Sequence, residues 1–150
     1  TGAFLVQADV RAASEGNIHS VRMITRKPPP GLKGAPYLEG KNINLDQLRE
    51  PLRLYSGPAR EAVRGFPANV NVAAALSLAG IGPDKTVMEI WADPDVTRNT
   101  HDITVESDSA RLTMRIENIP SKQNKRTGRI TALSILATLR GLTATLKIGT

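Results

Sequence analysis

The segment over residues 101–119 limits the fold more than any other. Ile103 and Val105 alternate with polar residues on one arm, residues 101–107, and Leu112, Met114 and Ile116 do the same on the other, residues 111–119. Asp108 and Ser109 fall between them, so the pattern predicts a β-hairpin with one apolar face and one polar face. A lone hairpin cannot bury its apolar face in water. It needs neighbouring strands and a layer of helices, which points to a sheet covered on one side.

The rest of the chain supplies both. Over residues 20–27, Val21, Met23 and Thr25 alternate with Arg22, Ile24 and Arg26 until Pro28-Pro29-Pro30 ends strand pairing. Residues 31–40 read as a loop, 52–55 as a second short strand, and 86–92, apolar at Val87, Met88, Ile90 and Trp91, as a strand buried on both faces. Four helices are expected. One covers residues 10–14 and stops at Gly16 in left-handed geometry. A second runs from Pro58 to about Arg64 with Ser56 or Gly57 as its cap. A third covers 72–79, opened by Asn69-Val70-Asn71 and stopped by Gly80 and Gly82-Pro83. The last runs from 130 to about 140, apolar at Ile130, Leu133, Leu136, Ala137 and Leu139, after a polar loop over 120–127. This order predicts one α+β domain over residues 1–150, an open mixed or antiparallel sheet with helices packed on one face.

Composition narrows the function classes. A chain of 150 residues, 40% of them hydrophobic, can hold a core. No apolar run reaches the roughly 18 residues of a membrane span, since even residues 130–139 are cut by Thr131, Ser134 and Thr138, so no membrane partner is expected. The absence of cysteine excludes a disulfide scaffold, a zinc ribbon and a thiol nucleophile. With no basic stretch and apolar block at the start, a cytoplasmic location is expected. The net charge of +6 is spread along the chain except beyond Glu117, where Lys122, Lys125, Arg126, Arg129, Arg140 and Lys147 run unopposed and can meet an anion. None of the five aromatic rings is interleaved with that cluster, so no nucleic-acid partner is expected. His19 and His101 lack metal-ligand spacing, and no metal site is expected.

Dinucleotide binding finds no motif of its own. Gly80-Ile81-Gly82-Pro83-Asp84-Lys85 lacks a third glycine and follows a helix instead of a strand, and there is no Walker loop. The most unusual stretch is 91–102, dense in hydrogen-bonding side chains. There Asn99, Thr100 and His101 can orient a polar substrate, and His101 can exchange a proton near neutral pH; equally, Asn99 and Thr100 can cap a turn while His101 begins a strand. Asn69 and Asn71 can cap the following helix or help hold an anion at its N-terminus. The start near Ser56-Gly57-Pro58 carries the same pair of readings, a cap or backbone N–H groups meeting a carboxylate. Arg26-Lys27 reads as a carboxylate clamp or, more plainly, as an exposed strand end.

Six blocks stand together in one order: Glu15-Gly16-Asn17-Ile18, Thr25-Arg26-Lys27-Pro28-Pro29, Ser56-Gly57-Pro58-Ala59-Arg60-Glu61-Ala62, Phe66-Pro67-Ala68-Asn69-Val70-Asn71-Val72-Ala73-Ala74, Ala92-Asp93-Pro94-Asp95-Val96-Thr97-Arg98-Asn99-Thr100-His101 and Arg115-Ile116-Glu117-Asn118-Ile119-Pro120-Ser121. Together they resemble the C-terminal domain of the L-aspartate dehydrogenase family over residues 2–142. The resemblance implies a fold similar to the C-terminal domains of homoserine dehydrogenase and dihydrodipicolinate reductase, with a homodimer formed through the sheet. It also implies an N-terminal Rossmann domain that binds NAD or NADP and is missing here, residues 1–16 being the crossover helix from it, and a chain inactive without that partner.

By the same resemblance the complete enzyme oxidises L-aspartate to iminoaspartate, which hydrolyses to oxaloacetate and ammonia, and released iminoaspartate can feed NAD biosynthesis. Matched residue by residue, His101 is the catalytic residue, Asn69, Asn71 and Thr100 bind substrate, and Asn99 and Ala3 meet the cofactor. Hydride leaves the α-carbon only when the amine is deprotonated and the carbon is held in line, so His101 is expected as acid/base or orienting donor. The reading of another class is a non-enzymatic domain that pairs through its sheet or binds an anionic metabolite.

Overall fold

The alternation along the first strand decides which side of the sheet is covered. In the computed structural model, which describes residues 3–121 and 128–146, helix α1 (Ala3–Ser14) leads into β1 (Ile18–Lys27), where Val21, Met23, Thr25 and Lys27 are buried on one face. Three short 3-10 turns between residues 29 and 47 separate β1 from β2 (Leu52–Pro58). Then follow α2 (Ala59–Gly65), α3 (Asn71–Ala79), β3 (Thr86–Ala92), β4 (Asn99–Ser107), β5 (Arg111–Asn118) and α4 (Ile130–Thr143). The five strands form one mixed sheet in the order β2-β3-β1-β4-β5, with β1 and β3 parallel and the other pairs antiparallel.

Register aligns the apolar rows. Met23 lies opposite Met88 on β3 and Ile103 on β4, and Ile103 opposite Met114 on β5. Val10 of α1, Ala62 and Phe66 at α2, and Ala73 and Leu76 of α3 close over this face, forming one core with Val21, Met23, Met88, Ile90, Ile103 and Val105. Burying each large side chain of this set contributes about 1.5–3 kcal/mol. The small residues of α3 let it lie close to α1. The opposite face is open and polar: Arg22 pairs with Glu89, Trp91 Nε1 donates to Glu89 Oε2 at 2.9 Å, and Arg115 bridges Asp102 and Glu117.

Several expectations need correction. Strand β3 is not buried on both faces, because helices cover one side only and Val87 is 42% exposed. Gly16 is not left-handed. It is required by close approach, since a Cβ there would lie 2.7 Å from Asp108 Oδ1, whose carboxylate accepts from the Asn17 backbone N–H. Gly82 is left-handed, with φ 85°, and its carbonyl accepts both the N–H and the hydroxyl of Thr86 at the entry to β3. Ser56 and Gly57 belong to β2, leaving Pro58 as the residue before α2. Nor does Asn69 or Asn71 cap α3, whose N-cap is Val70. Finally, α4 buries none of its residues, so the helical cover of the sheet comes from α1, α2 and α3. Among the described residues no helix is long and apolar enough to cross a membrane. Lys122, Lys125, Arg126 and Lys147 of the basic run lie outside the described residues.

Candidate active site

The helix-covered face carries a polar row at the end of β1. Antiparallel pairing sets Thr25 directly opposite His101, and both are buried. Thr25 Oγ1 lies 3.1 Å from His101 Nδ1, which fixes the imidazole against the sheet and leaves Nε2 as the other ring nitrogen. Two residues along β1 on the same face, Lys27 is only 5% exposed, against the expectation of an exposed strand end. Its ammonium donates to Asn69 Oδ1 at 2.5 Å, and the turn between α2 and α3 that carries Asn69 is closed by the Asn69 N–H donating to the Phe66 carbonyl at 2.9 Å.

Burial sets the charge states. Desolvation pushes His101 down to about 4, helped by the positive charge of Lys27, so the ring is neutral at pH 7. Burial also pushes Lys27 down to about 8. None of the ion pairs among the described residues includes Lys27. Among the described residues the hydrogen-bonding partner of its ammonium is therefore an uncharged amide. Beside this row opens a cavity of about 350 Å³ lined by Lys27, Asn69, Thr97 and Asn99 together with the prolines Pro28 and Pro30.

The predicted residues separate into two groups. His101, Asn99 and Asn69 come together around Lys27: Asn99 opens β4 on the same face as His101 by the two-residue period of a strand, and Asn69 arrives from the helical layer. Thr100 does not join them. It is buried on the opposite face, opposite Arg26, with its hydroxyl directed to the Arg98 carbonyl at 3.4 Å. Asn71 is exposed at the first position of α3. Ala3 opens α1, and its side chain lies outside the described residues.

Sequence reasoning missed Thr25 and favoured an exposed strand end over a carboxylate clamp for Lys27, which is buried. Their signal was the alternation itself, because continuing the phase of Val21 and Met23 by two steps puts both on the covered face. Part of the polar density of 91–102 is structural: Asp93 accepts from the Asp95 N–H and holds Arg26 at 3.2 Å, and the Arg26 guanidinium lies 4.7 Å from the centre of the Trp91 ring. Among the described residues no three His, Asp or Glu side chains converge to hold a metal ion.

The arrangement can bind an anion beside a neutral, fixed imidazole. Residues 9–142 match the family model described as aspartate dehydrogenase, C-terminal. Over 150 residues the chain is 63% identical to L-aspartate dehydrogenase of Bradyrhizobium diazoefficiens, covering 100% of this chain and 53% of that protein. Over 141 residues it is 48% identical to L-aspartate dehydrogenase of Methanosarcina barkeri, covering 94% of this chain and 52% of that one. The crystal structure of aspartate dehydrogenase from Thermotoga maritima superposes with a TM-score of 0.70 at 27% identity, over 97% of this chain and 52% of that chain. The chain thus spans about half the length of the curated relatives it matches.

Proposed function

From membership in the family of aspartate dehydrogenase C-terminal domains, to which this chain belongs, we propose that it is the substrate-binding and catalytic domain of an NAD(P)-dependent L-aspartate dehydrogenase. The reaction is oxidation of L-aspartate to iminoaspartate, followed by hydrolysis to oxaloacetate and ammonia. The observation that carries the proposal is the buried, neutral His101, pinned by Thr25 beside a cation-lined cavity.

The chain fits one end of the cofactor. Asn99, half-buried on the cavity wall, offers an N–H donor and a carbonyl acceptor, the complement of a nicotinamide carboxamide. Ala3 is assigned to the same group by resemblance. No glycine-rich phosphate turn exists in this sequence, so the remainder of the dinucleotide belongs to a separate nucleotide-binding domain, without which the chain is inactive. When bound, the nicotinamide supplies an acceptor for the hydride.

The protein's own residues do the rest. In the tautomer that donates Nδ1–H to Thr25 Oγ1, Nε2 of His101 presents a lone pair that meets the substrate amine, as acid/base or orienting group. Asn69 contributes to the wall that holds the substrate. A homodimer formed through the sheet and a cytoplasmic setting complete the proposal; the one-sided cover of the sheet supports the first and the cysteine-free sequence the second. In the test, this chain is mixed with the part of the Bradyrhizobium relative that it does not cover, and aspartate-dependent reduction of NAD or NADP is followed. Reduction is expected in the mixture, absent from either part alone and strongly lowered by His101→Ala. Wild-type turnover in the His101→Ala mixture overturns the role given to His101.

A further inference from the structure

Lys27 is the one charged side chain among the described residues that line the cavity. It sits on a strand face otherwise given to Val21, Met23 and Thr25, where a methionine of similar length would bury without electrostatic cost. A buried ammonium held only by an uncharged amide contributes little to folding. Of its three N–H donors one goes to Asn69, and two remain for a ligand. Lys27 stands two residues beyond Thr25, roughly 7 Å along the strand, so its cation is one residue pair removed from the imidazole that Thr25 holds.

We propose that Lys27 is a substrate-binding residue: its ammonium, oriented by Asn69, receives the side-chain carboxylate of an amino-dicarboxylate and so selects L-aspartate over its uncharged amide analogue L-asparagine. This rests on the reading of His101 as the group that meets the amine. The reacting end of the substrate lies at His101 and its far carboxylate at Lys27, which gives the pocket a direction. Asn69 keeps the flexible lysine stem in one position, lowering the ordering cost of binding.

The test is titration of this chain with L-aspartate and with L-asparagine, followed by calorimetry or NMR, for the wild type, Lys27→Met and Lys27→Arg, with Tm recorded for each. Wild type is expected to prefer L-aspartate, and Lys27→Met to lose L-aspartate affinity on the order of 10- to 100-fold, the range of a charge-assisted hydrogen bond. L-asparagine binding should stay within about twofold, Lys27→Arg should retain most of the preference, and the Tm of Lys27→Met should be equal or higher. The proposal is overturned if folded Lys27→Met keeps the wild-type preference, if the wild type has none, or if Lys27→Met lowers Tm, or fails to fold, and loses both ligands alike. Lys27-dependent aspartate binding without aspartate-dependent turnover in the two-part mixture leaves this assignment standing and refutes the dehydrogenase reading instead.

Discussion

Replacing His101 by glutamine should change how the fold responds to acid. The folded chain holds His101 near a pKa of about 4 because burial disfavours the charged ring, whereas an unfolded histidine protonates at about 6.5. Between those values the unfolded chain binds the extra proton, so acid favours unfolding. The stability contributed by keeping the ring neutral is complete above about pH 6.5 and is lost as pH falls towards 4. At 1.36 kcal/mol per pH unit the full loss is about 3 kcal/mol, and about 2 kcal/mol of it is gone by pH 5. Urea unfolding followed by the fluorescence of Trp91, the single tryptophan, gives the free energy of both proteins from pH 7 to pH 4. Glutamine keeps a hydrogen-bonding group opposite Thr25 and does not titrate. Carboxylates and the exposed His19 are common to both proteins and cancel in the difference. Wild type should lose about 2 kcal/mol relative to His101→Gln between pH 7 and pH 5, equivalent to roughly 4–8 °C in Tm. Parallel curves would refute the buried, neutral state of the ring.

Three further outcomes follow from the same geometry. The buried Lys27 carries a charge that costs the folded state up to about 3 kcal/mol below pH 8, so Lys27→Met should stabilise the chain by about 2 kcal/mol at pH 7 after losing the bond to Asn69, and the gain should fade between pH 8 and 10.5. A gain independent of pH would show that charge is not its cause. Gly82→Ala should cost roughly 1–2 kcal/mol in thermal or urea unfolding, because φ is 85° while open space surrounds the added Cβ; unchanged stability would contradict the left-handed turn. Light scattering after size-exclusion chromatography should give twice the monomer mass at high micromolar concentration, and a monomer there would count against pairing through the sheet.

The two-residue period carried most of the fold. Ile103, Val105, Leu112, Met114 and Ile116 identify the hairpin and its buried face, and Val21 and Met23 do the same for β1. What misled was residue type overriding phase: Lys27 continues the buried alternation, yet a lysine before three prolines reads as an exposed end. Asn69 resembles a helix cap by composition, but α3 starts one residue later than a cap at that position requires, freeing the amide for Lys27. Thr100 illustrates the opposite limit, since neighbours in a strand face opposite ways and a polar pair such as Thr100-His101 cannot share one pocket wall. The approach of Asp108 to Gly16 and the pairing of Thr25 with His101 depend on contacts between residues far apart in sequence, set by the register of β1 against β4. No local pattern encodes that register.

L-aspartate is expected to enter the cavity lined by Lys27, with its amine towards His101. The chain has only two histidines, and His19 is exposed, so their imidazole NMR signals provide a reporter and an internal control in one spectrum. Adding L-aspartate should move the His101 resonance saturably while leaving that of His19 in place, and Lys27→Met should shift the midpoint to higher concentration. An unmoved His101 signal at high millimolar L-aspartate, or equal drift of both signals, would contradict the site.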